Sequence, residues 1–264
     1  MSPKPLNQLI EASAGLPDCD AWQALSRLAG DAGASRLGDL LDNPERYGAF
    51  HRRGAGLTLD FSRQVMTADT LAALVELASA RGLDDWIAHL FAGAPVNNTE
   101  QRPALHMALR RRSDEPLIVD GEDLMPGVRA ELSRVLAFAE AVRGGEHRGH
   151  SGKRITDVVN IGIGGSDLGL VMVDAALARF RGDGPCTHYV SNIDGGRLAD
   201  LLEELDPDTT LFIICSKSFT TQETQLNAEA ARRWFVARCA ETAIGRHFAA
   251  VSVNAEAMDR FGID

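Results

Sequence analysis

The chain of 264 residues predicts an α/β fold: a parallel sheet flanked by helices on both faces, preceded by an N-terminal helical segment. Three observations predict it. After about residue 155, short apolar runs of strand length alternate with longer stretches at helical spacing. The strand runs are apolar throughout rather than every second residue, as in strands buried on both faces. Before about residue 112, leucine and alanine recur at helical spacing with few strand signals.

The helical segment is expected over residues 1–115 and the sheet domain over 116–264. In the first, Ala21–Leu28, Leu71–Leu77 and Trp86–Phe91 read as helices. Thr67 is placed to cap the helix that runs to Ala80, and Arg81-Gly82 ends it. Gly93 and Pro95 stop the next helix. Leu57–Phe61 alternates apolar and polar residues, as a short strand or extended stretch would. Thr99–Arg112 reads as helix.

From Met125 to Arg143, Val128, Leu132, Val135, Leu136 and Ala139 make a helical stripe closed by Gly144-Gly145. The polar stretch Glu146–Arg154 reads as a loop in which His147 and His150 are solvated. Strands then follow at Asp157–Ile161, Thr187–Ser191, Thr210–Cys215 and His247–Val253. The helices between them are expected at Leu168–Phe180, Gly196–Leu205 and Thr221–Ala240, with a last one at Ala255–Phe261.

A formal charge of −10 leaves no basic footprint for nucleic acid or an anionic membrane. Residues 1–11 lack the cationic and apolar halves of a leader, and no apolar run approaches membrane-spanning length. The cytoplasm is the expected compartment. Cys19, Cys186, Cys215 and Cys239 form no CxxC pair and no metal-ligand cluster with histidine along the sequence, which reads as reduced, mostly buried thiols. No metal or cofactor is expected.

Two loops carry the chemistry, each where an apolar strand hands over to a helix. The first, Gly162-Ile163-Gly164-Gly165-Ser166-Asp167, offers glycines that let backbone approach a ligand and a hydroxyl at a helix start. It is an anion nest or a plain tight turn, and this loop alone leaves both open. A dinucleotide fingerprint would need a third glycine where Asp167 stands, a carboxylate ill suited to face a pyrophosphate.

The second loop is more specific. Ser216, Lys217, Ser218, Thr220 and Thr221 place four hydroxyls and one ammonium within six residues, in a chain whose only other lysines are Lys4 and Lys153. Phosphate takes such donors, and lysine adds a point charge. The competing reading is a polar turn before a capped helix, since Thr220 and Glu223 have capping-box spacing. No GxxxxGK[ST] stretch supports a nucleotide triphosphatase, and a nucleotide binder of another kind is the weakest reading.

The runs Ile155–Leu170, Tyr189–Gly195 and Thr209–Asn227, together with Val96–Arg110, resemble glucose-6-phosphate isomerase in one order along nearly the whole chain. The resemblance implies that the second half is a sugar-isomerase (SIS) domain with a five-stranded parallel sheet. It implies that Gly165 and Ser166 contact the sugar phosphate, and that Ser216, Lys217, Ser218, Thr220 and Thr221 grip the phosphate oxygens. Three departures are visible. Ser218 stands for a threonine, Gly196-Arg197 for Thr-His, and Leu170 for proline. None removes a phosphate donor.

By the same resemblance the chain is an N-terminal portion. The family's second SIS domain bears the arginine, glutamate base, histidine and lysine that isomerise the sugar, and no position here matches them. The expected ligand is therefore glucose 6-phosphate or fructose 6-phosphate, gripped with little turnover and with no catalytic residue assigned in this chain. The alternative is a stand-alone module that senses or holds a phosphosugar. The complete family protein is expected to be a homodimer, and the sequence fixes no oligomeric state for this chain.

Overall fold

The computed structural model describes residues 2–32 and 36–263. They form two compact units, Met1–Arg129 and Ala130–Asp264.

The first unit is mainly helical. It contains α1 (Leu6–Ala14), α2 (Asp20–Ala32), α3 (Leu37–Leu41) and α4 (Arg46–Ala49). A hairpin of β1 (His51–Gly54) and β2 (Leu57–Asp60) follows, with His51 opposite Asp60. Its turn uses positive φ at Ala55 (49°) and Gly56 (75°), as two-residue hairpin turns demand. Arg46 is buried, and its guanidinium donates to the carbonyls of Ser62 and Gln64 in the stretch after β2, each at 2.6 Å.

Next come α5 (Ala68–Ala80) and α6 (Leu83–Phe91). Thr67 caps α5 as its position suggests, its hydroxyl accepting from the Thr70 amide at 3.2 Å. Gly82, at φ 66°, turns the chain from α5 into α6, where a Cβ would lie 2.9 Å from Leu9.

The helix expected over Thr99–Arg112 does not form. Asn97 Oδ1 accepts from the Thr99 hydroxyl and the Glu100 amide at 2.8 and 3.3 Å, a local alternative to helical hydrogen bonding. Pro103 removes a further donor. Only a 3₁₀ turn at Ala108–Arg110 remains. Strands β3 (Ile118–Val119) and β4 (Glu122–Asp123) then pair over a small core of Ala108, Leu117 and Met125. Helix α7 (Met125–Gly144) begins in this unit and runs on into the second.

The second unit is the parallel sheet. Its order along the chain is β5 (Asp157–Gly162), α8 (Leu168–Leu177), β6 (Cys186–Val190), α9 (Gly195–Glu204) and β7 (Thr210–Cys215). Then follow α10 (Gln222–Val236), α11 (Ile244–His247), β8 (Phe248–Val251) and α12 (Ala255–Phe261). In space the strands lie β6-β5-β7-β8, all parallel. Four strands form among the described residues, against the five that the family resemblance implied.

Alternation along the strands divides the side chains between two faces. Val159, Ile161, Phe212 and Ile214 pack with Ala228, Ala231 and Phe235 of α10, Leu198 of α9 and Phe261 of α12 in the main core. Leu211 faces the other way and packs with Ile155 and Val142 of α7. Helix α8 is tied to β6 by the Thr187 hydroxyl, which donates to Asp174 at 2.8 Å. Its apolar run is far less covered than that of a core helix, with Met172 and Leu177 more than half exposed.

No described helix is long and apolar enough to cross a membrane. None of the four cysteines is fully buried, and Cys186 is exposed at the start of the edge strand β6. The expectation of mostly buried thiols is corrected there.

Candidate functional site at a sheet crevice

The chain leaves β5 through α8 to reach β6 on one side, and leaves β6 through α9 to reach β7 on the other. The strand order reverses between β5 and β7. In open parallel sheets this switch point opens a crevice at the carboxyl ends of the strands, where ligands bind. Both hydroxyl-rich loops stand there, one after β5 and one after β7. Gly162 and Cys215, the last residues of the two strands, are direct register partners.

The first loop is a short 3₁₀ turn, Gly164–Ser166, entered with Gly164 at φ 59°. Gly162 has to be glycine, because a Cβ there would lie 2.5 Å from the Ser166 carbonyl oxygen and 3.0 Å from its Cβ. Gly165 is exposed and Ser166 half-buried at the mouth of the turn. Asp167 is buried at the start of α8, and its Oδ1 has no hydrogen-bond partner among the described residues.

The second loop is pinned from two sides. Phe219 is buried and stacks edge-on to Phe261 at 5.9 Å, although its backbone takes φ 55°. That region is costly for an aromatic residue, so packing holds it there. Towards β8, the Val253 amide and the Ser252 hydroxyl both donate to the Lys217 carbonyl at 3.0 Å. Asn254 donates to the Ser218 carbonyl at 2.9 Å. With these carbonyls engaged, Lys217, Ser218, Thr220 and Thr221 keep exposed side chains, while Ser216 is buried. Lys153 is held by Asp208 and Asp206 at 2.9 and 3.3 Å, whereas Lys217 makes no ion pair among the described residues.

The capping box expected of Thr220 and Glu223 does not form. The N-cap of α10 is Thr221, and its side chain makes no cap bond. The hydroxyls are turned on one another instead: Ser218 and Thr220 lie 2.7 Å apart, and Ser216 donates to Thr221 at 3.3 Å. The first amides of a 15-residue helix thus have no side-chain partner among the described residues, beside the hydroxyls.

One residue that the sequence reading passed over joins the two loops. Asn160, buried in β5, donates to the Ser166 carbonyl at 3.3 Å and accepts from the Cys215 thiol at 3.0 Å. Burial pushes the Cys215 thiol up to about 11, so it stays protonated as a donor at the foot of the second loop. A polar residue inside an otherwise apolar strand was the available signal. On the flank, Asn227 of α10 donates to the Asn192 carbonyl at 2.8 Å and ties in the loop after β6.

The histidines in this unit make their contacts away from the two loops. His188 bonds Asp157 at 2.8 Å. His147 and His150 are not merely solvated, since His147 meets the Arg246 carbonyl at 3.0 Å and His150 meets His247. A cavity of about 610 Å³ is lined by residues of β6, α9 and the turn between them, none from the two loops. Its one arginine, Arg197, is outnumbered by the carboxylates of Asp194, Asp200 and Glu204, which suits an anion poorly.

A crevice at a strand-order reversal, rimmed by glycines, hydroxyls and two helix starts, puts the chain in the class of α/β proteins with an open parallel sheet. The comparisons sharpen this. A family profile described as phosphoglucose isomerase matches residues 60–264. Glucose-6-phosphate isomerase of Methylococcus capsulatus (strain Bath) is 46% identical over 249 residues, 94% of this chain and 46% of that protein. Glucose-6-phosphate isomerase 1 of Chromohalobacter salexigens is 46% identical over 244 residues, 92% of this chain and 44% of that protein. The crystal structure of a glucose-6-phosphate isomerase from Chlamydia trachomatis superposes with a TM-score of 0.72 at 29% identity, over 90% of this chain and 45% of that one. The chain belongs to the phosphoglucose isomerase family, and it spans somewhat less than half the length of these relatives.

Proposed function

We propose that these residues form the phosphate grip of a glucose-6-phosphate isomerase, holding glucose 6-phosphate or fructose 6-phosphate. The observation that carries the reading is the register of Gly162 with Cys215, which starts both loops side by side at the switch point. A phosphate in the crevice would meet the Gly165 amide and the Ser166 hydroxyl on one side. On the other it would meet the hydroxyls of Ser218, Thr220 and Thr221, the Lys217 ammonium and the first amides of α10, with Ser216 holding Thr221 in place.

The donors are charge-assisted or aligned with a helix dipole, which favours a dianion over a neutral sugar hydroxyl. Because the chain as a whole is acidic, binding depends on this local array. Interconversion of the aldose and ketose also needs a base at the sugar's C2 and an acid-base pair for ring opening. We assign those groups to the family's second domain, so these residues on their own bind the sugar phosphate with little turnover. This is soluble, cytoplasmic chemistry of glycolysis and gluconeogenesis, and it needs no cofactor.

A thermal-shift panel tests the reading. Glucose 6-phosphate and fructose 6-phosphate raise the melting temperature, as ligands that bind only the folded state do, whereas NAD and ATP do not. Lys217→Ala, at an exposed site, alters unfolding stability by no more than about 0.5 kcal/mol but removes the sugar-phosphate shift. An unchanged shift in that variant, or a larger one with NAD or ATP, contradicts the proposal.

A further inference from the structure

We propose that His150, Asp208 and Cys239 form a site for one soft divalent cation of the zinc type, bound through Nε2, Oδ1 and Sγ. The site lies at the opposite end of β7 from the phosphate loops, where the loop before β5 meets the loop before β7 and the end of α10. The three ligand atoms all fall within 4.8 Å of one another.

The hydrogen bonds around His150 fix which nitrogen is available. His247 is fully buried, and its Nδ1 donates to the Thr210 carbonyl at 2.7 Å. Its Nε2 therefore carries a lone pair, which accepts from the His150 backbone amide at 2.9 Å and faces His150 Nδ1 at 3.1 Å. With Nδ1 turned to His247, the other ring nitrogen of His150, Nε2, is the one that faces Asp208, 3.5 Å from its Oδ1.

The third donor, Cys239, completes the set, since imidazole, carboxylate and thiolate together are a zinc ligand set. With bonds of about 2.0–2.3 Å to a tetrahedral zinc, ligand atoms sit about 3.5 Å apart, the spacing held between Nε2 and Oδ1.

The surroundings suit the role. Metal-bound histidines usually donate their other N–H to an orienting partner, and His247 with the Thr210 carbonyl is such a relay. Lys153 takes Oδ2 of Asp208 at 2.9 Å, which orients Oδ1 toward His150. Gly149 permits the approach, because a Cβ there would collide with the Asp208 carbonyl and lie 2.7 Å from Cε1 of His247. His150 is exposed on its outer side, leaving a coordination position for water.

The test uses the full 264-residue chain, stripped with a chelator and titrated with cobalt(II). The expected result is a thiolate-to-cobalt charge-transfer band that saturates at one equivalent and is displaced by zinc. Cys239→Ser abolishes the band, and Cys186→Ser keeps it. His150→Gln weakens binding by more than the ~10–100-fold that loss of an orienting partner brings. Absence of the band, or its survival in Cys239→Ser, overturns the proposal. Alkylation of Cys239 in the unaltered chain gives a readout that does not depend on any variant folding: zinc slows it if the site exists, and equal rates with and without zinc overturn it.

Discussion

The loop after β5 and the loop after β7 look alike in sequence, both small and hydroxylated, but they are held in opposite ways. The second is clamped by a buried phenylalanine and by carbonyl bonds from the end of β8. The first is held across the sheet only by the Asn160 amide among the described residues, with the space at Gly162 and its own turn bonds, Ser166 to Ile163 and Asp167 to Gly164. The difference teaches that one crevice can pair a rigid wall with a more lightly held one. On the rigid wall the strained backbone at Phe219 costs about 1–3 kcal/mol, offset by burial of the ring, worth about 1.5–3 kcal/mol.

The largest effect should come from removing the clamp. Phe219→Ala is expected to lower the unfolding free energy by about 3–5 kcal/mol in denaturant titration and to abolish the sugar-phosphate thermal shift. If the shift survives, the wall does not depend on its plug.

A smaller effect is expected at the other wall. Gly162→Ala forces a methyl group against Ser166, at a cost of about 1–3 kcal/mol. Amide hydrogen exchange should quicken in residues 164–167 and stay unchanged in residues 216–221. Equal disturbance of both loops would erase the contrast between them.

The smallest effect concerns the helix that follows the lightly held loop. The hydrogen bond from Thr187 and then the pairing with Arg181 hold the Asp174 carboxyl below its ordinary range. A depressed folded-state value means the stabilisation is complete above the ordinary aspartate range and is lost as pH falls through the lower one. Asp174→Asn should therefore reduce stability at neutral pH and flatten the acid limb of the stability profile. Identical profiles would detach this carboxylate from the anchoring of α8.

Much of the sheet domain was legible because its apolar runs change period from strand to helix with each element. All four strands fall within two residues of their expected limits, β8 being the one trimmed at both ends. The first unit was less legible. Its hairpin partner β1, His-Arg-Arg-Gly, carries no apolar alternation, and Asn97 diverts the next segment from helix by bonding its own backbone. At the site, the hydroxyls and glycines were readable as residue types. The lost capping box was not, since which hydroxyl faces which depends on the left-handed turn at Phe219. Asn160 was visible only as a polar interruption of β5, and its two partners, Ser166 in the first loop and Cys215 at the end of β7, are brought to it only by the folded sheet.

The central claim is that both loops close on one phosphate. It is tested most directly by following backbone amide resonances while fructose 6-phosphate is added. The account predicts that Gly165 and Ser166 shift together with Ser216–Thr221 along a single binding curve. Shifts confined to one loop, or separate curves for the two, would contradict it.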